Sequence, residues 1–252
     1  TDQIHPRTII VFELSCHQLE YAHFAPSKAI LLNLYEDHLD HYGTVEKYWN
    51  AKKNIYRKQG YCDFLFCNPD FLPATGECKS TVIKVKSADL PFNSFEEIPG
   101  VTLRGTHNIF NCAFVYDVCR RYDISDDDFM KALATFKTLA HRLQYIGTKD
   151  GVDYYDDSIS TTVESAISAV RAIPNAGTLL LGGMDRGIDY DPLVAFLPTT
   201  RLEHIILMYD SGKVSLEKLK ATSDDEFMKK GVMLIVDGTD PELVRSILEA
   251  EL

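Results

Sequence analysis

No stretch of this 252-residue chain holds the roughly 20 apolar residues that a membrane-crossing helix requires, so no membrane insertion is expected. No signal-peptide pattern opens it either. Thr1-Asp2-Gln3 is polar, and a strand-like run has begun by Ile9-Ile10-Val11-Phe12. A cytoplasmic protein is expected, and the abrupt start reads as that of a fragment. Cys-x-x-Cys pairs are missing. The six cysteines lie at 16, 62, 67, 78, 112 and 119, a pattern that argues against a zinc ribbon or a thioredoxin-like site. Free thiols in a reducing compartment are expected instead. Net positive charge is also missing. At −11 the chain is unsuited to neutralising a phosphate backbone, and no nucleic-acid partner is expected. Finally, no Gly-x-x-x-x-Gly-Lys-Ser/Thr loop occurs, so the element that would cradle ATP phosphates is not in this stretch.

What is present is ordinary globular composition, 45% hydrophobic and 25% charged, in a length that fits one large domain or two smaller ones. Strand-like runs alternate with helical patterns, the signature of an α/β protein. The pattern predicts strands at 8–14, 29–34 and 64–67, with weaker signals at 82–83 and 101–103. It predicts helices at 45–57 and 107–122. In the first, Tyr48, Trp49, Ile55 and Tyr56 are the candidate buried positions. In the second, Ile109, Phe110, Ala113, Phe114 and Val118 recur at three- and four-residue steps and give one apolar face. Cys112 and Cys119, two helical turns apart, are expected in a core. A further helix starts at Ser125 as N-cap, with Asp128 as an acidic capping-box residue and Ile124 stapled to Phe129; it ends near Phe136. The alternation restarts at Leu143, so the boundary falls at 137–141 and divides the chain into 1–138 and 139–252. The second part predicts strands at 143–148, 152–155, 178–181, 204–208 and 232–236. Helices follow at 163–172, 191–196, 214–220 and 241–250, the last opening at Pro241 behind Asp240. The chain stops inside that helix, where another strand is expected to follow.

Several polar clusters sit at the ends of these elements. Glu13-Leu14-Ser15-Cys16-His17-Gln18 follows the first strand. A carboxylate there suits Mg²⁺; the same residues also read as a turn with a helix cap. Glu36-Asp37-His38-Leu39-Asp40-His41 offers carboxylates and imidazoles for a hard ion, or is a solvated acidic loop. Lys52 and Lys53 read as solvated helix charges. Arg104-Gly105-Thr106-His107-Asn108 opens the long helix, with Thr106 able to cap it. Asn108 and Asn111 share one face, as simple capping residues or as partners for an adenine or ribose. His141-Arg142 falls at the boundary. The run 178–181 reads as a buried strand that ends in Gly182-Gly183-Met184-Asp185-Arg186-Gly187, and Asp157 lies at the end of the strand 152–155. Two such strand ends suggest one shared cleft at the carboxyl edge of an open sheet.

Taken in order, these clusters resemble the Mur ligase family, most closely its glutamate-adding branch. The matching segments are 12–20, 33–42, Ala51-Lys52, 105–108 with Asn111, His141-Arg142, Asp157-Ser158 and 182–189. The resemblance implies the later part of a central ATPase domain followed by a Rossmann-like C-terminal domain. It implies ATP and Mg²⁺ as cofactors, and UDP-N-acetylmuramoyl-L-alanine and glutamate as substrates of a monomer. It also implies roles. Glu13 would take a Mg²⁺-binding carboxylate role, His38 would bind a second Mg²⁺, and Lys52, carbamylated, would become a carboxylate-like metal ligand, which replaces its reading as a solvated charge. Ser15 and Gln18 would touch the UDP-sugar. Asn108, Asn111, Arg142 and Asp157 would face the nucleotide, and Thr161 and Arg186 the incoming amino acid. Two departures stand out: Ile159 occupies a position where the branch usually has lysine, and Arg186 replaces its usual acceptor-side lysine. D-glutamate is the default acceptor, with L-glutamate open. Another Mur ligase, a folylpolyglutamate-synthase-like enzyme, or a non-catalytic binding module without the phosphate loop are the alternatives.

Overall fold

The computed structural model describes residues 4–5, 8–229 and 231–235. In chain order the elements are α1 (Cys16–Glu20), β1 (Lys28–Leu31), α2 (Leu39–Tyr42), α3 (Val45–Arg57), β2 (Phe64–Cys67), β3 (Thr81–Lys84), α4 (Thr106–Arg120) and α5 (Asp126–Thr135). They continue with β4 (Gln144–Lys149), β5 (Val152–Asp156), α6 (Val163–Ala172), β6 (Thr178–Gly182), α7 (Asp191–Phe196), β7 (His204–Met208), α8 (Tyr209–Thr222), α9 (Asp225–Met228) and β8 (Val232–Ile235). The chain forms two compact units, Thr1–Leu34 with Thr44–Lys84, and Tyr35–Gly43 with Val85–Leu252.

The first unit is built on a parallel sheet in the order β1-β2-β3. Its middle strand carries Leu65, Phe66 and Cys67, all fully buried, as expected for a parallel strand covered on both faces. Helix α3 begins behind Thr44, whose Oγ1 accepts from the Lys47 N–H at 3.3 Å. It lays Tyr56, Trp49 and Ile55 against Ala29, Leu31, Leu34 and Leu65, so the apolar positions read from its periodicity lie in or against the core. Gln59 is buried but satisfied. Its amide donates to the carbonyls of Pro26 and Phe64 at 2.8 and 2.9 Å, and accepts from Ser80 Oγ at 2.7 Å. The strand read at 8–14 does not form. Ile9, Ile10 and Phe12 are exposed there, and Val11 is 92% exposed. Apolar β-branched residues favour a strand only when a ladder neighbour and a covering face exist, and no described strand pairs with this segment.

The second unit holds a parallel sheet in the order β6-β7-β8 and an antiparallel β4–β5 hairpin, with a bulge between Tyr145 and Gly147. β7 is the buried strand: Ile205, Ile206 and Leu207 are closed off from solvent. Around it gather Val163, Leu193, Leu197, Leu216 and Leu219 from the flanking helices. A second core packs α4 on α5 through Cys112, Tyr116, Phe129 and Leu133, with Cys119 against it.

Further readings need correction. The strand 178–181 is not buried: it sits beside β7 and alternates between exposed and half-buried, with Leu180 44% exposed. Strand 152–155 pairs in the hairpin, not in the sheet of β6, so the two strand ends do not share one sheet edge. Residues 101–103 form no strand. The helix expected at 214–220 begins earlier, at Tyr209, and takes in Gly212, which serves close packing. A Cβ there would meet the Leu207 backbone at 2.9 Å. At α5, Ser125 caps as expected, accepting from the Asp128 N–H at 3.2 Å. Asp128, one methylene shorter than Glu, bonds the Ser125 hydroxyl at 2.8 Å instead of closing a full box, and Ile124 stays partly exposed. The helix expected at 241–250 lies outside the described residues, as does the end of strand 232–236.

Gly182 closes β6 with φ +149, and a Cβ on it would lie 1.9 Å from the Met208 carbonyl oxygen. That neighbour is paired backbone and cannot rotate away. Gly182→Ala is expected to lower stability by about 2–3 kcal/mol. Gly183→Ala, where a Cβ would meet nothing within 4 Å, should be mild. Urea unfolding of the two variants checks the pair; equal midpoints would refute the packing argument.

Candidate functional site

The best-defined polar cluster of the second unit is centred on Asp37. His38 takes a left-handed conformation, φ 54°, and opens the short α2, which ends at the left-handed Gly43. This tight path turns Asp37 inward, and the residue is only 8% exposed. Its Oδ1 accepts from the His38 N–H at 2.8 Å. Its Oδ2 accepts from Thr161 Oγ1 at 3.1 Å. Arg186 donates to Oδ1 through Nη1 at 3.4 Å. The imidazole Nε2 of His38 stands 3.7 Å from Oδ2.

The two distant partners arrive on well-defined turns. Thr161 precedes Thr162, which caps α6 by accepting from the Ser165 N–H at 3.2 Å. Arg186 rides on the turn after β6. There Asp185 Oδ1 accepts from the Gly187 N–H at 2.9 Å and the Tyr190 hydroxyl at 3.0 Å. Burial, helped by Asp185, pushes the Tyr190 hydroxyl up to about 12, so it stays a neutral donor. The Asp189 N–H reaches Glu36 Oε2 at 3.4 Å, a second tie between the 185–190 turn and the 35–43 loop. The structure thus brings together Thr161 and Arg186, paired in sequence reasoning as acceptor contacts, and sets His38 beside them. In sequence Asp37 is one of several carboxylates of an acidic loop, and nothing in motif order singles out Asp185 or Tyr190. A carboxylate beside His38, and an Asp heading a glycine turn, are the signals that could have found them.

A second cluster lies at the start of α4. Its N-cap is Gly105, not Thr106, which is already helical. A Cβ at Gly105 would meet Ala172 Cβ at 2.7 Å and the His107 ring at 2.8 Å, and its φ is +82°. Only glycine fits this approach of α4 to α6. Asn108 donates to the Arg104 carbonyl at 2.9 Å, and Asn111 donates to Asn108 Oδ1 at 3.3 Å, so the two amides are linked. Asp157 accepts from the Leu143 N–H at 2.7 Å and from Ser160 Oγ. Next to it, Asp156 pairs with His141 Nδ1 at 2.6 Å and accepts from the Ser158 N–H at 2.9 Å. These bonds hold its carboxyl down to about 2, with the Ser158 backbone bond the largest cause. His107 is lowered from the usual histidine range by burial first, with Arg142 adding to the effect and Asp157 opposing it. Arg142 and Asp157, both nucleotide-side expectations, are therefore close enough to His107 to act on it.

In the first unit, Ser15 and Gln18 form a reciprocal cap on α1. Ser15 Oγ accepts from the Gln18 N–H at 3.2 Å, and Gln18 Oε1 accepts from the Ser15 N–H at 2.9 Å. The capping role is thus realised at both residues, and any ligand would share these groups. Glu13 is exposed in the irregular segment before them. Helix α1 docks on α3, with Asn54 Nδ2 donating to the Leu19 carbonyl at 3.1 Å. Lys52 is half-buried on α3, its Nζ 4.8 Å from the Tyr48 ring one turn earlier. Lys53 instead pairs with Glu77 at 3.5 Å.

Residues 5–90 match the Mur ligase middle domain. That span contains Glu13, Ser15, Gln18, Asp37, His38 and Lys52. A UDP-N-acetylmuramoylalanine–D-glutamate ligase of Koribacter versatilis is 34% identical over 209 residues, which is 73% of this chain and 45% of that protein. A Staphylococcus carnosus protein of the same name is 33% identical over 230 residues, 85% of this chain and 51% of that protein. The chain belongs to the Mur ligase family. It spans about half the length of the curated relatives it matches. Its α/β architecture is that of solved Mur ligases. MurF of Acinetobacter baumannii superposes with a TM-score of 0.63 at 15% identity, over 89% of this chain and 59% of that one. MurF ligase of Thermotoga maritima, solved in complex with ADP, gives 0.60 at 19% identity, over 90% and 56%.

In this Mur ligase chain His107 supplies a pH test. Its folded pKa lies below its ordinary value, so the unfolded chain binds the extra proton first. The stability it supports is complete above the ordinary range near about 6.5 and is lost as pH falls through the folded value. The Asp156 carboxyl acts in a separate window: its contribution is present above the usual carboxylate range and lost only toward about 2. Urea unfolding followed from pH 8 to 5 should show a declining limb that His107→Gln flattens; an unchanged limb would refute the burial of a neutral imidazole.

Proposed function

We propose that the whole protein is an ATP-dependent ligase that joins D-glutamate to UDP-N-acetylmuramoyl-L-alanine in peptidoglycan precursor synthesis, and that it does so as a cytoplasmic monomer. The relatives that carry that name support the substrate pair. The observation that carries the acceptor assignment is the meeting of Thr161 and Arg186 at one carboxylate. In this reading residues 1–138 belong to the central ATPase domain and 139–252 to the C-terminal amino-acid domain. The phosphate loop does not occur in this sequence, so the reading requires the whole protein to supply it elsewhere.

The reaction is amide formation through an acyl phosphate. The terminal carboxylate of the UDP-sugar peptide attacks the γ-phosphate of ATP, and ADP leaves. The glutamate amine then attacks the acyl carbon, and phosphate leaves. Positioning and charge neutralisation are the physical requirements. Among the described residues, no three His, Cys, Asp or Glu side chains gather as a closed metal cage. Mg²⁺ does not need one, since it keeps several waters and takes one or two protein donors beside substrate phosphates. Glu13 would supply a donor to one Mg²⁺ and His38 to a second, with Lys52, carbamylated, adding a carboxylate-like ligand. Bound there, Mg²⁺ would offset the crowded phosphate charge. Ser15 and Gln18 would meet the UDP-sugar, and Asn108, Asn111, Arg142 and Asp157 the nucleotide. Arg186 would hold a glutamate carboxylate with Thr161 beside it, the guanidinium offering two parallel bonds where the usual lysine offers a point charge.

A folylpolyglutamate synthase of Mycobacterium tuberculosis, complexed with ADP, shares this fold with a TM-score of 0.60 at 12% identity, over 89% of this chain and 55% of that one. Donor tests separate the readings. The full-length protein should release phosphate with UDP-N-acetylmuramoyl-L-alanine, ATP and D-glutamate. Turnover only with a folate donor, or with L-glutamate in place of D-, would overturn the assignment, and none with any donor would favour a binding module.

Two variants test the roles. Lys52→Ala should nearly abolish turnover and be partly restored by acetate, whereas Lys53→Ala should be mild; full activity of Lys52→Ala removes the carbamylation reading. Arg186→Ala should raise the apparent KM for glutamate roughly tenfold or more, with little change for ATP. Arg186→Lys should recover part of that loss. An unmoved glutamate KM in Arg186→Ala would sink the acceptor role.

A further inference from the structure

We propose that Asp37 is an affinity-setting residue of the acceptor site: its carboxylate competes with that of the incoming amino acid for Arg186 and sets how strongly that amino acid binds. The proposal rests on the reading of Arg186 as the acceptor cation. Two features of the geometry carry it. First, Asp37 is held independently of Arg186. Its oxygens accept from the His38 N–H at 2.8 Å and from the Thr161 hydroxyl at 3.1 Å. If Arg186 leaves, the buried carboxylate keeps two donors and is not stranded. Second, the Arg186 contact is weak for its kind. Charge-assisted N–H···O bonds run at about 2.7–2.9 Å, and a guanidinium binds a carboxylate best through two parallel bonds. Here it meets Asp37 by Nη1 at 3.4 Å, with 31% of its side chain exposed. A guanidinium has five N–H donors in a fork, so a carboxylate arriving from solvent can take a two-pronged contact in exchange for this single long one.

The exchange has a direction. With no ligand, Asp37 neutralises Arg186 and keeps the 185–190 turn beside the 35–43 loop. An acceptor must offer a carboxylate able to outcompete Asp37, and it then sits next to Asp37 as a like charge. The resident carboxylate is thus a repulsive element that screens out weakly bound small anions and lowers the affinity of every acceptor by the worth of the displaced pair. Thr161, which bonds Asp37 and precedes the cap of α6, keeps that carboxylate in place during the exchange.

The test uses the full-length enzyme in steady state, with glutamate, ATP and the UDP-sugar varied in turn. Asp37→Asn keeps an acceptor oxygen for the His38 N–H, offers its amide N–H to a Thr161 hydroxyl turned to accept, and removes the charge. It should lower the apparent KM for glutamate roughly three- to tenfold, leave the KM for ATP in place and not raise kcat by the same factor. Acetate should become a better competitor against glutamate by a similar factor. On an Arg186→Ala background the same substitution should have a smaller effect, because only the like-charge repulsion is left to remove. If Asp37→Asn does not fold, Asp37→Ser carries the measurement. A glutamate KM that is unchanged or raised in the folded Asp37 variant, while Arg186→Ala raises it, overturns the competition and leaves the acceptor site standing. A glutamate KM unmoved by Arg186→Ala overturns the acceptor-site reading and the proposal with it.

Discussion

A single buried carboxylate organises the chemistry of the second unit. Taking Asp37 out of water carries a large desolvation cost unless donors replace the lost hydration. Three do so: a backbone N–H next in sequence, a hydroxyl and a guanidinium. The last two come from loops far along the chain, so satisfying one side chain fixes where those loops can lie. The left-handed turn at His38 and the Asp185-braced turn around Arg186 follow from that requirement. The 35–43 loop is therefore tied to the 161–162 and 185–190 segments by polar satisfaction, while Ile188 and Tyr190 of the latter join the apolar core.

That core sits on the parallel sheet, where β7 carries the burial and β6 flanks it half-exposed. Two glycines let backbones approach at this point. Gly182 ends β6 against the Met208 carbonyl, and Gly212 lets α8 close down on Leu207. The chain then turns from β6 into the segment that carries Arg186. Close packing and the candidate site are thus adjoining consequences of one local sequence, in which glycine serves close packing and the charged residues after it brace the turn and reach Asp37.

Much of this was legible in advance. Helix α3, strands β2 and β7, the hairpin strands and α5 with its Ser125 cap follow from periodicity and capping chemistry, which act over a few residues. Thr161 and Arg186 were legible as a pair through motif order. Other features were not. The run 8–14 has strand composition and yet no described neighbour pairs with it. Asp37 stood in plain view inside an acidic loop, but no local rule says which of several neighbouring carboxylates turns inward.

The sequence by itself determined the alternation of elements, several helix caps and the set of polar clusters at element ends, because those depend on side-chain chemistry and spacing along one strand or helix. The tertiary structure alone decided which strand is central, that 152–155 joins a hairpin and not the β6 sheet, that Gly105 and not Thr106 caps α4, and that Arg186 and Thr161 meet at Asp37. Each of these turns on a contact between segments distant in the chain, where burial and hydrogen-bond satisfaction select one arrangement among many that the local pattern allows.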